Sequence, residues 1–307
     1  SVMKERVGMV SRPVKEPAFG GRGDRIMSRT VFCTAVTGIV ILVFILAFLV
    51  INGLPVLKSA SLSEIFLSPE WYPTEEPPVL GMAALIAGTL AATLLSSLLA
   101  IPVSLALAIF TAEIAPKKLR TFFKVLLEML GFLPSTVLGF IGMMLIAPWM
   151  QDSLNIASGL NLLNASILLG FLIIPVVASL SDEALASVPR ELRDASYALG
   201  ATRSETILKV AVPGALPGII ASVLLGIMRA LGETMVVLMA AGGAAIIPKL
   251  LTEPIRPLTS TIAAEMGETP VGSVHYHALF FAGLILLAMT LLINLLSLYI
   301  EKRGTKR

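Results

Sequence analysis

The sequence has little charge for its length. Of its 307 residues, only 14% are Asp, Glu, Lys or Arg, whereas about 25% are charged in an ordinary soluble domain. With 56% hydrophobic residues, the chain cannot cover itself with a polar surface in water. The apolar residues form uncharged blocks of about 20 or more, which is the length that an α-helix needs to cross a bilayer. The composition therefore predicts an integral membrane protein.

The usual groups of several enzyme and metal sites are also missing. The single cysteine, Cys33, has no second thiol with which to form a disulfide or a metal site. His275 and His277 have no cysteine or cluster of carboxylates nearby, so they make an incomplete metal site. No Gly-Lys dipeptide occurs, which excludes the P-loop that binds ATP. We expect this chain to bind no metal and no cofactor, and any energy from ATP has to come from a partner.

Six apolar segments predict six transmembrane helices. No recurring alternation of apolar and polar residues suggests barrel strands, so we predict an all-α membrane protein. The first apolar segment is longer than the core of a signal peptide and lacks a small-residue cleavage site, so we interpret it as a spanning helix. The expected spans are residues 30–53, 81–112, 125–149, 163–181, 213–243 and 277–300.

The predicted organisation has four parts. Residues 1–29 form a polar N-terminal tail, and residues 30–80 form the first helix with a proline-rich loop. Residues 81–300 form the transmembrane core, which includes a long polar loop, and residues 301–307 form a short tail.

Lysine and arginine are distributed unevenly between the predicted loops. The two tails and the loops 113–124 and 182–212 hold 19 of the 23 basic residues. Because basic residues collect on the cytoplasmic side of membrane proteins, both termini and the loop 182–212 are predicted to face the cytoplasm. The opposite loops hold only Lys58, Lys249 and Arg256.

The loop 182–212 has the pattern of two short helices joined by a bend at Gly200. Glycine is a natural end for the first helix, and Thr202 with Glu205 forms the capping-box pattern that begins a second. We expect Pro213 to interrupt the helix that follows.

The first of these helices carries one apolar stripe on a charged background. Val188, Leu192, Ala195 and Leu199 share a helix face by their spacing. An apolar stripe outside the membrane has to pack on something. It can cover the helix bundle or lipid headgroups, or it can dock on a cytoplasmic partner.

The same loop resembles the EAA loop of ABC importer permeases. That pattern is EAA, three residues, Gly, nine residues and then I-x-L-P, and this chain has the same spacing with conservative replacements. The resemblance implies a type I ABC importer permease fold in which the loop docks on the ATP-hydrolysing subunit. The matching residues are Asp194, Ala195, Ser196, Gly200 and Pro213.

Further segments are similar to the permeases of phosphate-specific (Pst) ABC importers, and more to PstC than to PstA. They are residues 112–116 (AEIAP), 127–139 (LEMLGFLPSTVLG), 199–203 (LGATR), 229–235 (RALGETM) and 257–268 (PLTSTIAAEMGE). The resemblance implies a transport subunit in the cytoplasmic membrane of a bacterium or archaeon. It implies as partners a PstA-like permease, a PstB-like ATPase dimer that binds ATP and Mg, and an extracytoplasmic phosphate-binding protein.

Arg229 and Glu233 are charged residues inside the predicted fifth span. Each would cost about 2.5 to 3.5 kcal/mol at the centre of a membrane helix, so their presence needs a reason. A spacing of four places them on one helix face, where they can form a structural ion pair. A guanidinium also suits phosphate oxygens. In the Pst family this pair is associated with the transport route, which implies that Arg229 meets the anion and that Glu233 holds Arg229.

On the residues alone, two alternatives stay open and a third is disfavoured. An ABC permease for molybdate or sulfate would need the same buried arginine. A secondary transporter driven by an ion gradient would not need the paired helices of the loop 182–212. An intramembrane serine protease would need a histidine inside the membrane, and both histidines lie at a predicted outer edge.

Overall fold

The computed structural model describes residues 22–304, so most of the predicted N-terminal tail and the last three residues lie outside the described part. Thirteen α-helices occur in that part. In chain order they are α1 (Arg22–Gly53), α2 (Leu62–Leu67), α3 (Ala83–Ile109), α4 (Lys117–Gly131), α5 (Ser135–Ile141), α6 (Ala147–Leu154), α7 (Leu162–Ser187), α8 (Arg190–Ala198), α9 (Arg203–Thr206), α10 (Val212–Leu231), α11 (Met235–Ala240), α12 (Leu258–Glu265) and α13 (Val274–Gly304).

Short elements of other kinds connect these helices. Strands β1 (Trp71–Tyr72) and β2 (Val79–Leu80) form an antiparallel hairpin, and Leu54–Lys58 is a 3-10 helix. Three stretches have the wider turns of a π-helix, namely Phe110–Ile114, Gly142–Ile146 and Ile207–Ala211.

Six helical stretches in the described residues are long and apolar enough to cross a membrane. This number and the all-α architecture confirm the prediction. The stretches are Ile26–Lys58, Ala83–Ile114, Ser135–Leu154, Leu162–Ser187, Arg203–Leu231 and Val274–Tyr299.

Two predicted spans have wrong boundaries. The third begins at Ser135 and not at residue 125, because α4 is a separate helix and Pro134 precedes α5. Proline restricts the residue before it and removes a backbone donor, and at Pro134 the chain is extended, with a ψ of 131°, so α4 and α5 are separate helices. The fifth span stops at Leu231 and not at residue 243, because the chain breaks before α11.

The chain divides into two compact units after Phe48. In the first unit, the described part of α1 is exposed along almost its whole length, and its Phe44 and Phe48 rings stack with centroids 6.2 Å apart. The second unit holds the remaining helices and the cores described below.

Helix α3 packs along α7, and α7 packs along α10. The contact face of α3 carries small buried residues at every fourth position, which lets the helix backbones approach closely, as in other membrane bundles. These residues are Gly88, Ala92, Ser96, Ala100 and Ser104.

The bundle of the second unit has two ends that matter for function. Helices α3 and α7 finish at one end, where residues 182–212 lie, and we call it the loop end. The β1–β2 hairpin and α12 lie at the opposite end, which we call the hairpin end. Helix α10 runs from the loop end towards the hairpin end.

Candidate functional site

Arg229 lies in the last turn of α10, and Glu233 follows the end of that helix. Gly232 ends α10, and the backbone N–H of Glu233 donates to the carbonyl of Ala230 at 3.2 Å. The prediction that both residues lie inside one uninterrupted span is therefore wrong. The pairing itself is confirmed, because Arg229 Nη1 lies 2.9 Å from Glu233 Oε2.

The Glu233 carboxylate also holds the start of α11. Its Oε1 accepts from the backbone N–H groups of Thr234 at 3.1 Å, Met235 at 3.1 Å and Val236 at 3.5 Å. A carboxylate is favourable at a helix N-terminus because it satisfies donors that have no partner within the helix. Only 4% of the Glu233 side chain is exposed. The contacts on both oxygens therefore fix the carboxylate in one orientation.

The Arg229 guanidinium is held from one side only. Within the described residues, its single hydrogen bond runs from Nη1 to Glu233, whereas a guanidinium has five N–H donors. The side chain is 46% exposed in this chain. Several N–H donors of Arg229, at the end of α10 that points towards the hairpin end, are thus free to bind a ligand.

The start of α12 contacts this break and also contacts α3. The Thr259 hydroxyl donates to the Glu233 carbonyl at 2.8 Å. The backbone N–H of Leu258 donates to Thr89 Oγ1 at 2.9 Å. Reasoning from sequence assigned no role to Thr259. The hydroxyl-rich run directly after Pro257 is the signal that points to it.

At the loop end, α8 and α9 have the predicted bend between them. Gly200 adopts a φ of +82°, a conformation that glycine adopts without steric cost. The capping box of Thr202 and Glu205 is present. The hydroxyl oxygens of Ser196 and Thr206 lie 2.9 Å apart and join the two helices.

Pro213 is accommodated without an interruption, contrary to the prediction. The helical stretch Arg203–Leu231 runs through it, and the π-helical segment Ile207–Ala211 precedes it. The backbone N–H of Val212 donates to Ile207, five residues back. This wide turn makes room for a ring that would otherwise clash with the carbonyl four residues before it.

The apolar stripe of α8 is largely uncovered. Val188, just before the helix, is 5% exposed and packs in the core. Leu192 is 50% exposed, Leu199 is 89% exposed, and Ala195 and Asp194 are also exposed. The described part of this chain leaves Leu192, Ala195 and Leu199 uncovered, so their surface is available to another molecule.

The two predicted groups of site residues lie far apart. Arg203 and Arg229 belong to one helical stretch, and at 1.5 Å per residue they are roughly 40 Å apart along its axis. The structure brings Arg229 together with Glu233, and it brings Ser196 together with the start of α9. Any communication between the two groups has to pass through the packed helices.

A third cluster lies at the hairpin end around Glu265. Its carboxylate accepts from Arg256 Nη1 at 2.8 Å and from Trp71 Nε1 at 3.1 Å, and it lies 2.8 Å from His275 Nε2. These residues line a cavity of about 390 Å³. In the described residues, no group of three or more His, Cys, Asp and Glu residues is placed to hold a metal ion.

Comparison with known proteins gives consistent matches. Residues 104–306 match the family described as "Binding-protein-dependent transport system inner membrane component". The "Probable ABC transporter permease protein YqgH" of Bacillus subtilis is 39% identical over 263 residues, which are 85% of each chain. The "Probable phosphate transport system permease protein PstC" of Methanocaldococcus jannaschii is 31% identical over 282 residues, 86% of this chain and 89% of that protein.

Solved structures share the fold. A bacterial alginate ABC transporter, in complex with a periplasmic protein bound to an alginate pentasaccharide, is 14% identical. It matches with a TM-score of 0.64 over 93% of this chain and 96% of that one. The MetNI methionine ABC transporter in an inward-facing conformation is 21% identical, with a TM-score of 0.57 over 75% of this chain and 99% of that one.

Proposed function

We propose a route for inorganic phosphate through this chain, which belongs to the family of binding-protein-dependent transport system inner membrane components and, within it, to the PstC-type permeases. The chain is a multi-pass membrane protein with the fold of type I ABC importer permeases. As a permease subunit, it works with a separate ATPase and with a substrate-binding protein.

The exposed side of Arg229 is the observation that supports the route. In the described part of the chain, most N–H donors of its planar guanidinium have no partner, and two of them can bind two phosphate oxygens side by side. The backbone N–H groups of Thr234 and Met235 hold the Glu233 carboxylate through Oε1, while its other oxygen binds Arg229. Glu233 therefore holds Arg229 in place and weakens its attraction for the anion, so that phosphate can leave again.

A purely structural ion pair explains less of this geometry. An ion pair with one exposed partner adds little to stability, because water and salt screen the attraction between the two charges. Here Glu233 is buried but nearly half of the Arg229 side chain is exposed. The arrangement favours an arginine that is positioned for a third group.

The assembly that we propose follows the Pst type. A PstA-like permease covers the exposed side of the Arg229 region, and a phosphate-binding protein delivers the substrate to the hairpin end. A PstB-like ATPase dimer binds ATP and Mg and docks on the stripe of α8, while this chain binds no cofactor itself. The exposure of Leu192 and Leu199 supports the docking surface.

The proposed location is the cytoplasmic membrane of a bacterium or archaeon, with both termini and the loop end in the cytoplasm. The support is the charge distribution, because 19 of the 23 basic residues lie in the two tails and the loops of that side.

Uptake of labelled phosphate by the reconstituted complex tests the proposal. We expect uptake to require ATP, to resist excess sulfate and molybdate, and to be lost in Arg229→Gln. Lys209→Gln is the matched control and should keep uptake, since Lys209 also pairs with a glutamate four residues away but lies at the loop end. Uptake without ATP would indicate a secondary transporter. Strong competition by sulfate or molybdate would indicate another oxyanion as the substrate.

A further inference from the structure

Arg193 differs from most of α8 because its side chain contacts the protein. Its side chain is only 15% exposed, whereas most residues of α8 are exposed. Nη1 donates to the Val188 carbonyl at 2.6 Å, and Nη2 donates to the Leu185 carbonyl at 2.8 Å. These carbonyls lie at the end of α7, where helices leave acceptors without partners. Arg193 therefore attaches α8 to the end of α7.

The same guanidinium binds the end of α3. Arg193 Nη2 lies 2.6 Å from Glu113 Oε1, and the Glu113 side chain is 12% exposed. Glu113 belongs to the π-helical segment Phe110–Ile114 that follows α3. The ion pair thus connects α8 to both α3 and α7 across 80 positions of sequence.

Glu113 also contacts the second helix of the loop. Arg203, the first residue of α9, donates from Nη2 to the backbone carbonyl of Glu113. One residue at the end of α3 is thus bonded to α8 through its side chain and to α9 through its carbonyl. If α8 and α9 move when an ATPase acts on them, Glu113 is displaced directly.

The end of α3 is in turn attached to α7 by a second contact. Thr111, two residues before Glu113, donates its hydroxyl to Asp182 Oδ1 at 2.9 Å. Asp182 lies on α7, which packs along α10, and α10 carries Arg229 in its last turn. A displacement at Glu113 therefore reaches the helices that position Arg229 through buried contacts.

Energetics indicate that the ion pair serves more than stability. Replacing a buried ion pair by apolar residues of similar volume is often neutral or stabilising, so stability alone does not explain why the charges lie there. Within residues 22–304, Arg193 Nε is buried without a hydrogen-bond partner, an unfavourable arrangement for a purely stabilising group. What the pair does provide is a directional connection with three short hydrogen bonds from a single side chain.

We propose that Glu113 and Arg193 are positioning residues that transmit movement of the docking loop to α3 and α7, which couples ATP hydrolysis to phosphate movement. This role rests on the proposed function, because it needs an ATPase that docks on α8. This role requires no contact of either residue with phosphate or ATP.

The test compares phosphate transported with ATP hydrolysed in the reconstituted complex. For Glu113→Gln, we expect the ATPase subunit to stay bound and to hydrolyse ATP, while phosphate transported per ATP falls about tenfold, which corresponds to about 1.4 kcal/mol. Lys209→Gln is the matched control, since it breaks an exposed ion pair of the same loop, with Glu205, in which no residue of α3 takes part. We expect a normal ratio in this control.

A second variant separates a loss of coupling from a loss of complex assembly. Arg193→Lys keeps the charge but loses the planar fork that reaches two carbonyls and Glu113 together, and we expect the same fall in the ratio per assembled complex. A normal ratio in either variant, with lower abundance alone, would show a merely structural pair and overturn the proposal. Transport of phosphate by the unaltered complex is measured alongside, so failure of the proposed function is recognised separately.

Discussion

The Thr259 hydroxyl donates a hydrogen bond of 2.8 Å to the backbone carbonyl of Glu233. The carbonyl lies in the break between α10 and α11, and the donor lies at the start of α12. This contact fixes the backbone from which the Glu233 side chain extends to Arg229. The position of the proposed phosphate contact thus depends on a residue 26 positions further along the chain.

Thr259→Val tests this dependence. Valine has nearly the same shape but no hydroxyl, so it leaves a buried carbonyl without its donor, which costs about 1 to 3 kcal/mol. We expect lower phosphate uptake at unchanged ATPase binding, together with a lower melting temperature.

Ser260→Ala is the control for this variant. The Ser260 hydroxyl donates to the Pro257 carbonyl, which also accepts from the Thr261 hydroxyl and backbone N–H. Its loss therefore leaves no acceptor without a partner. Equal uptake in the two variants would contradict a role of Thr259 in holding the break.

The sequence predicted the features that depend on neighbouring residues. Apolar length predicted six spans, and the glycine and capping-box pattern predicted the bend from α8 to α9. Both are confirmed because local chemistry decides them: a span needs uninterrupted apolar residues, and Gly200 and the Thr202–Glu205 pair act within a few positions.

The features that sequence reasoning missed depend on distant contacts. The apolar residues after Glu233 continue the pattern of a membrane helix, so nothing local except Gly232 indicates the break. The Glu233 carboxylate contacts only neighbouring residues, but Thr259 holds the break from 26 positions away. The docking loop is attached through Glu113, 80 residues before Arg193. Periodicity cannot reveal which distant side chains meet.

Gly200→Pro tests the docking surface of α8. Proline fixes φ near −65°, whereas Gly200 has a φ of +82° and donates its N–H to the Tyr197 carbonyl. We expect the altered bend to prevent co-purification of the ATPase while the protein stays in the membrane. Ala195→Glu should have the same effect without backbone strain, since Ala195 is exposed.

Gly243→Pro is the matched control for Gly200→Pro. Gly243 has a φ of +73° and donates its N–H to the Ile255 carbonyl, but it lies far from α8. Proline at this position strains the backbone and removes a hydrogen bond in the same way as at Gly200. We nevertheless expect the ATPase to remain bound. Co-purification and ATP-dependent uptake in the Gly200 and Ala195 variants would show that the docking assignment is wrong.

The uneven distribution of basic residues predicts the orientation in the membrane. A reporter inserted near Glu75, in the β1–β2 hairpin, should be accessible from outside the cell. A reporter fused after Arg307 should be accessible only from the cytoplasm. Access to the Glu75 reporter from the cytoplasm alone would overturn the proposed orientation.

Charge removal at Arg229 and Glu233 separates a transport contact from a structural ion pair. Breaking a fully buried pair costs about 3 to 5 kcal/mol, and the cost is lower here because Arg229 is 46% exposed. A structural pair would therefore lose stability in Arg229→Gln or Glu233→Gln and regain both stability and transport when the two changes are combined. We expect the combined variant to be present in the membrane at normal abundance and yet inactive, because no guanidinium remains to meet phosphate. Arg229→Lys should keep only part of the uptake rate, since an ammonium retains the charge without the bidentate geometry. Labelled-phosphate uptake, divided by membrane abundance in each variant, decides between the two roles, and recovery of uptake in the combined variant would assign the pair to structure alone.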